Sequence, residues 1–287
     1  MLCLPADAES TSSKSPCGAL LAQYGVNLGT EATTQDLPNG CVISNGAIAT
    51  STYQTWAFDR AEIKTDDFAG LAGGGNRKIP AWGLLSLEGV RFRIRSGNSV
   101  VNYINRLQQW PMDLDMSYHW DPQAGRLELD EARLSSVKAG LVALSGDFVL
   151  DGNVNAGAIP DPANVGVSRL RFRLDNQGLF EALAGPALSA YLAAQIGQDA
   201  DLDAEVERLK ALAVKSIGAT PETVADGASR QALIRFVEDL PHPTGFFSVE
   251  VEFPKPLKLS DLSNAGDPMV VAKMLSAGKV HVRYTAR

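Results

Sequence analysis

The sequence has 287 residues, 45% of them hydrophobic and 21% charged, with 26 Lys+Arg against 33 Asp+Glu and a net charge of −7. This ordinary globular composition excludes collagen-like, disordered and disulfide-scaffold chains. The mild acidity argues against a nucleic-acid partner. No stretch approaches the roughly 18 apolar residues that span a bilayer, so we expect membrane association only through a missing N-terminal anchor, if any.

The chain begins with a short segment that ends in Ala6-Asp7-Ala8. Ala-x-Ala is the small-residue pattern that signal peptidase reads, although the charged and apolar stretches that normally precede it are not in the sequence. We interpret the segment as the end of a signal peptide or anchor. An N-terminal extension without a function is the alternative.

Two of the three cysteines, Cys17 and Cys41, flank a polar segment with many turn signals. A disulfide between them would stabilise the fold by about 3 kcal/mol and would need an oxidising compartment. Two cysteines cannot build a zinc site, and the three histidines are not at ligand spacing from them. We therefore predict a disulfide, with two unpaired thiols of a cytosolic protein as the alternative. Residues 1–40 are predicted to form an N-terminal segment with this loop, and residues 41–287 a single β-rich domain.

Five segments alternate apolar and polar residues with a period of two, which is typical of antiparallel strands with one face in water. Arg171 and Arg173 are therefore expected to face solvent. Residues 121–125 resemble a hairpin loop, so residues 113–150 are predicted to form a three-stranded meander. The five segments are residues 90–94, 113–120, 169–175, 247–253 and 280–285.

Helical patterns supply the apolar cover for such a sheet. Residues 99–108 place Val100 on an apolar side, and residues 202–217 are followed by Gly218 as a cap. Thr220-Pro221 is read as a helix start. Residues 179–240 are thus predicted to form a mostly helical insertion. The predicted fold class is α+β, with a curved, mainly antiparallel β-sheet that has one face covered by helices.

Residues 90–94 and residues 170–174 have similar sequences, and each of the two segments is followed by a predicted helix. This echo indicates either an internal duplication or the chance likeness of short amphipathic strands.

Part of the chain resembles the AsmA-like group and related uncharacterised periplasmic proteins of Gram-negative bacteria. The resemblance spans residues 83–287 and implies an elongated, curved antiparallel sheet with an apolar concave side, in a protein of envelope biogenesis or lipid handling. It brings no catalytic residue. Its phrases are Tyr118-His119-Trp120-Asp121, Gly125-Arg126-Leu127-Glu128-Leu129, Leu150-Asp151-Gly152 and the run from Leu170 to Leu179.

Motifs of serine hydrolases, zincins and P-loop NTPases are absent from the sequence. The glycine-rich residues 70–78 are read as a loop rather than an anion cradle. Asp113, Asp115 and His119 share one strand face, where a solvated surface is a simpler explanation than a metal or acid–base site. The arginines that alternate along two strands form either a basic patch for lipid head groups or a solubilising face. These are Arg91, Arg93, Arg95, Arg169, Arg171 and Arg173.

Because no nucleophile, base and orienting group converge, we favour a binding module over an enzyme, with no cofactor and no metal. The hypothesis is a periplasmic or otherwise extracytoplasmic protein that holds a lipid, or an amphipathic segment of an envelope protein, in an apolar groove between sheet and helices. An enzyme of unrecognised type and a structural scaffold are the alternatives. Plain core is the competing role for each of the predicted lining residues, Leu170, Phe172, Phe180, Leu183 and Tyr191.

Overall fold

The computed structural model describes residues 15–23, 26–49, 51, 54–73, 79–94, 98–100, 102–103, 110–150, 164–182, 201–262 and 277–287. The chain divides into two compact units. The first comprises Met1–Pro111 and Asn155–Ile159, and the second comprises Met112–Val154 and Pro160–Arg287.

Over its described residues, the first unit contains a meander of four strands, two short helices, and helical residues at 99–100 and 102–103. Each strand pairs antiparallel with the next one in the chain. The elements in chain order are α1 (Pro16–Gln23), β1 (Thr33–Leu37), β2 (Gly40–Ala49), β3 (Gln54–Thr65), α2 (Phe68–Ala72) and β4 (Trp82–Ile94).

The core of the first unit is built around the disulfide that the sequence predicts. Cys17 on α1 and Cys41 on β2 are bonded, both are fully buried, and their Cα atoms lie 5.3 Å apart. Phe58 from β3 and Phe68 from α2 pack in the same cluster. The Cys17 N–H donates to Asp36 Oδ1 at 2.9 Å, which ties α1 to β1 as well. The predicted disulfide is confirmed, and it fixes α1 to the sheet.

Counting thiols tests this bond. We expect the protein, denatured without a reductant, to show one reactive thiol from Cys3, or none if that segment has been cleaved, and reduction to expose two more. Because the bond joins residues 24 positions apart, its reduction should lower the free energy of unfolding by about 3 kcal/mol. Three reactive thiols before reduction would contradict the structure.

The second unit is a longer meander. Its strands again pair antiparallel in chain order, from β5 to β10. This confirms the meander that was predicted for residues 113–150. The elements are β5 (Met112–Asp121), β6 (Arg126–Ser136), β7 (Gly140–Leu150), β8 (Val165–Asn176), α3 (Leu202–Gly218), α4 (Gly227–Glu238), β9 (Gly245–Lys258), α5 (Leu259–Leu262) and β10 (Lys279–Thr285).

The pairing register sorts the side chains of the second unit onto two faces. Residues paired directly across strands point to the same side of a sheet, so each line of paired residues can be followed from β5 to β10. Three such lines form what we call the apolar face. They are Leu114-Leu134-Val142-Leu174-Phe247-Tyr284, Met116-Ala132-Leu144-Phe172-Val249-Val282 and Tyr118-Leu129-Gly146-Leu170-Val251-Val280.

The helical segment covers the β10 end of this unit in two ways. Ala232 of α4 is buried against Val251 and other residues of β8 to β10. At the edge of the sheet, the Val280 N–H donates to the Val224 carbonyl at 2.7 Å, and the Val282 N–H donates to Ser229 Oγ at 3.1 Å. Satisfying outward-facing N–H groups in this way protects an edge strand from pairing with another chain.

The helix boundaries differ from the sequence prediction at two places. Thr220-Pro221 does not start a helix, because the Thr220 hydroxyl donates to the Ser216 carbonyl at the end of α3, and Pro221 opens a turn. Asp226 is the N-cap of α4, and its Oδ1 accepts from the Ser229 N–H at 2.7 Å. Gly218 is the last residue of α3, and Ala219 forms the cap.

The other predicted helices lie mainly outside the described residues. Residues 99–100 and 102–103 are helical and belong to the first unit. Val100 exposes 62% of its surface, so it does not supply the cover expected of it. Of the helix predicted from residue 179, residues 179–182 are described and are helical.

Two glycines offer a matched test of the meander. Gly140, at the start of β7, has φ +105°, and a Cβ there would lie 1.9 Å from the Asp175 carbonyl oxygen. We expect Gly140→Ala to lower the free energy of unfolding in urea by about 2 kcal/mol or more.

Gly218 is the control, because a Cβ built there has no atom within 4 Å. Gly218→Ala should be neutral or stabilise by up to about 1 kcal/mol. Equal stabilities of the two variants would contradict the described turn before β7.

Candidate functional site

The apolar face is closed at one end and partly open at the other. Under α4, only 4–6% of the surface of Val251, Val280 and Val282 is exposed to solvent. On β5 to β7, the other residues of the same three lines are all partly exposed apart from Gly146, and Met116 shows 36% of its surface. One half of this apolar face is therefore covered by protein, and the other half is accessible to solvent.

An aromatic cluster forms the closed end. Phe236 of α4 stacks on Phe247 with ring centroids 4.0 Å apart. Phe180 meets Phe236 edge-on at 6.0 Å, and Phe172 meets Phe247 at 6.4 Å. The two edge-on pairs, at 6.0 and 6.4 Å, have the distances of favourable ring pairs, each worth about 1 kcal/mol beyond burial.

Three of the five predicted lining residues lie in or beside the aromatic cluster. Phe172 and Phe180 are partly buried and contribute to the packing under α4, and Leu170 lies one line further along the apolar face. All three keep some exposure and sit where the closed and open parts of the face meet. Leu183 and Tyr191 lie outside the described residues.

Tyr284 anchors the cluster to the end of α4. Its ring packs edge-on against Phe236 at 5.5 Å, and its hydroxyl lies 2.5 Å from Asp239 Oδ2 and 3.1 Å from the Thr244 carbonyl. Burial, together with the hydrogen bond to Asp239, raises the pKa of the Tyr284 phenol. The phenol therefore stays protonated and acts as a donor that holds β10 against the helix.

Asn176 holds the backbone of Phe180 beside the aromatic cluster. This side chain is 98% buried, since only 2% of its surface is exposed. Its amide nitrogen donates to the Pro243 carbonyl at 2.6 Å and to Glu181 Oε2 at 3.1 Å. Its Oδ1 accepts from the backbone N–H groups of Gly178 and Phe180. The sequence reading missed this residue, although an Asn between a strand and a helix is a recognisable cap signal.

Ion pairs between strands cover the opposite, polar face. Arg171 and Arg173 point to this face, as expected, and keep 46% and 44% of their side chains exposed. Arg171 binds Glu250 of β9 in a bidentate pair at 2.8 and 3.2 Å. The further pairs of this kind are Arg133–Asp115, Arg169–Asp147, Arg173–Glu131 and His119–Asp130.

These pairs account for most of the polar candidates from the sequence. Asp115 and His119 face Arg133 and Asp130, so their arrangement is that of structural pairs, and Asp113 lies on the same face. Among the described residues, no group of three or more His, Cys, Asp or Glu could hold a metal ion.

Arg91, Arg93 and Arg95 belong to the first unit, and the arginines of β8 belong to the second. Arg91 forms a bidentate pair with Asp59 in the first unit, at 2.7 and 3.0 Å. The side chain of Arg93 and the whole of Arg95 lie outside the described residues, as do residues 74–78 of the glycine-rich segment. Gly70 and Gly73 belong to the short helix α2 and its cap.

Comparison of the chain with protein-family models and with curated proteins found no match. Over the residues that the structure describes, no helix is long and apolar enough to cross a membrane.

The Arg171–Glu250 pair yields a test of the polar face. The hydrogen bond from Arg171 lowers the pKa of Glu250. A carboxyl group whose pKa is lower in the folded state stabilises the folded protein at pH values above its unfolded pKa of about 4.3. This stabilisation is lost as the pH falls through the folded pKa.

A double-mutant cycle with Arg171→Gln and Glu250→Gln should give a coupling energy of about 0.5 kcal/mol at pH 7, because the pair is exposed. The coupling should fall below pH 4 and in high salt. A coupling that is independent of both would mean that the two side chains do not form an ion pair.

Proposed function

We propose that this protein is a non-catalytic, extracytoplasmic lipid-binding protein that holds an acyl chain on the apolar face of its second unit. The observation that carries the proposal is the exposure gradient along that face. Leu144 and Phe172 belong to one line of paired residues that runs from the exposed Met116 to the buried Val282. An acyl chain lying along the exposed part of this line, from Met116 to Phe172, would contact apolar side chains.

The chemistry of the face suits a ligand of variable shape. Covering partly exposed apolar surface contributes about 25 cal/mol per Å², so a chain that buries a few such residues gains affinity without any polar contact. Met116 is unbranched and flexible, and methionine adapts its shape to different apolar ligands. Phe180, held by Asn176, provides a fixed boundary at the closed end.

The disulfide supports the proposed extracytoplasmic compartment. The Cys17–Cys41 bond is buried in the core of the first unit. Structural disulfides persist in oxidising compartments such as the bacterial periplasm and are rare in the cytosol. The resemblance to AsmA-like envelope proteins supports the same location and a role in envelope biogenesis or lipid handling.

Adjacent residues of β5 allow a matched test. Met116 lies on the apolar face and Ser117 on the polar face, where it pairs with Glu131. Met116→Lys should abolish or weaken binding of a fluorescent fatty acid by about tenfold or more, because a charge then lies against the acyl chain. Ser117→Lys should change it by less than about twofold, because its side chain points the other way.

Native mass spectrometry and lipid extraction of gently purified protein identify the natural occupant. A co-purifying lipid whose amount falls in Met116→Lys supports the proposal. Equal binding by both variants, or no binding by the unmodified protein, would reject it. Capture of an amphipathic peptide in place of lipid would assign the same face to a partner segment.

A further inference from the structure

A cavity at the β10 edge of the polar face carries an inference of its own. It has a volume of about 670 Å³ and is formed by residues of β8, β9, β10 and the start of α4. A volume of several hundred Å³ is that of a small-molecule site. This cavity does not involve the open half of the apolar face, so the inference does not depend on whether that face binds a lipid.

The cavity is lined by one more guanidinium group than carboxylates. Three guanidinium groups line it, from Arg171, Arg173 and Arg283, against the carboxylates of Asp226 and Glu250. The chain as a whole has a net charge of −7. A local excess of positive charge on an acidic protein favours an anion at this place.

Arg283 is the cation with the most capacity to bind a ligand. Over the described residues, it makes no ion pair and its side chain is exposed. Arg171 uses Nε and Nη2 for Glu250, and Arg173 uses Nη2 for Glu131, so each has further N–H groups to offer. Guanidinium groups with several free donors bind phosphate in bidentate geometry.

The register brings two of these arginines to the two sides of one serine. Arg173, Ser248 and Arg283 are directly paired on β8, β9 and β10 and therefore share the polar face. Adjacent strands lie about 4.8 Å apart, so the two arginine Cα atoms are roughly 10 Å apart. Both long side chains can reach an anion above Ser248 from opposite sides.

An aromatic ring lies next to this position. Phe246 lines the same cavity, two residues before Ser248 on the same face of β9, and exposes 39% of its surface. An exposed ring beside a cluster of guanidinium groups can stack on a flat apolar group of a ligand.

We propose that this cavity, which we call the arginine cavity, binds an organic phosphate. The phosphate lies between Arg283 and Arg173 above Ser248, with Arg171 adding positive charge. The group attached to the phosphate contacts Phe246. The anion is either a soluble phosphate ester or the phosphate of a lipid head group.

Isothermal titration of the full chain with phenyl phosphate tests the site. The variant Arg283→Gln removes a cation with no described ion pair and should weaken binding about tenfold or more. Lys279→Gln is the matched control, because Lys279 lies on the same face of the same strand and does not line the cavity. It should change binding by less than about twofold.

A second variant separates the two parts of the site. Phe246→Ala should weaken binding of phenyl phosphate and leave binding of inorganic phosphate unchanged, since only the ester reaches the ring. Flotation with phosphatidylcholine vesicles, with and without phosphatidic acid, then shows the source of the phosphate. Arg283-dependent flotation assigns a lipid head group, and phenyl phosphate binding without flotation assigns a soluble ester.

Two results would overturn the proposal. One is that the unmodified protein does not bind phenyl phosphate at roughly 10 mM, which is weaker than any specific site would require. The other is that Arg283→Gln and Lys279→Gln weaken binding equally, which would show a diffuse attraction to surface charge.

Discussion

The second unit depends on the pairing register of its six strands. Three lines of paired residues cross all of them, and every position in these lines is apolar or glycine. Because side chains alternate between faces, a slip of one residue at any pair would move the apolar side chains of that strand into water. Burial of the apolar side chains therefore selects this register. The polar side chains between them then lie on the opposite face.

Bulges in the strands keep the apolar and polar side chains on separate faces. Between Leu129 and Ala132 the apolar spacing in β6 is three residues rather than two, and the pairing shifts at this point. A bulge of this kind accommodates the extra residue, so that apolar side chains on both sides of it remain on one face. A similar shift between Asp147 and Phe148 accommodates one extra residue of β8, between Val167 and Arg169. The bulges are thus part of how the apolar face is built.

The two faces give the unit two different kinds of surface. The apolar face is sealed at β9 and β10 by α4 and the aromatic cluster, and its exposure increases toward β5. The polar face is organised by cross-strand ion pairs, and the arginine cavity occurs at its β10 edge, where Arg283 is next to paired arginines. The same alternation that predicts a plain solvent face therefore also concentrates positive charge at one place.

The sequence by itself determined which side chains of the predicted strands face water, because alternation with a period of two is a local property. It correctly placed Arg171 and Arg173 on the polar face, the meander at residues 113–150 and the disulfide between Cys17 and Cys41. The tertiary structure decided what depends on distant residues. It paired Arg171 with Glu250, 79 positions away, and Asn176 with the Pro243 carbonyl, 67 positions away. It also brought Arg283 beside Arg173 through β9. No local pattern contains such pairings, because they arise only when the register and order of all the strands are fixed together.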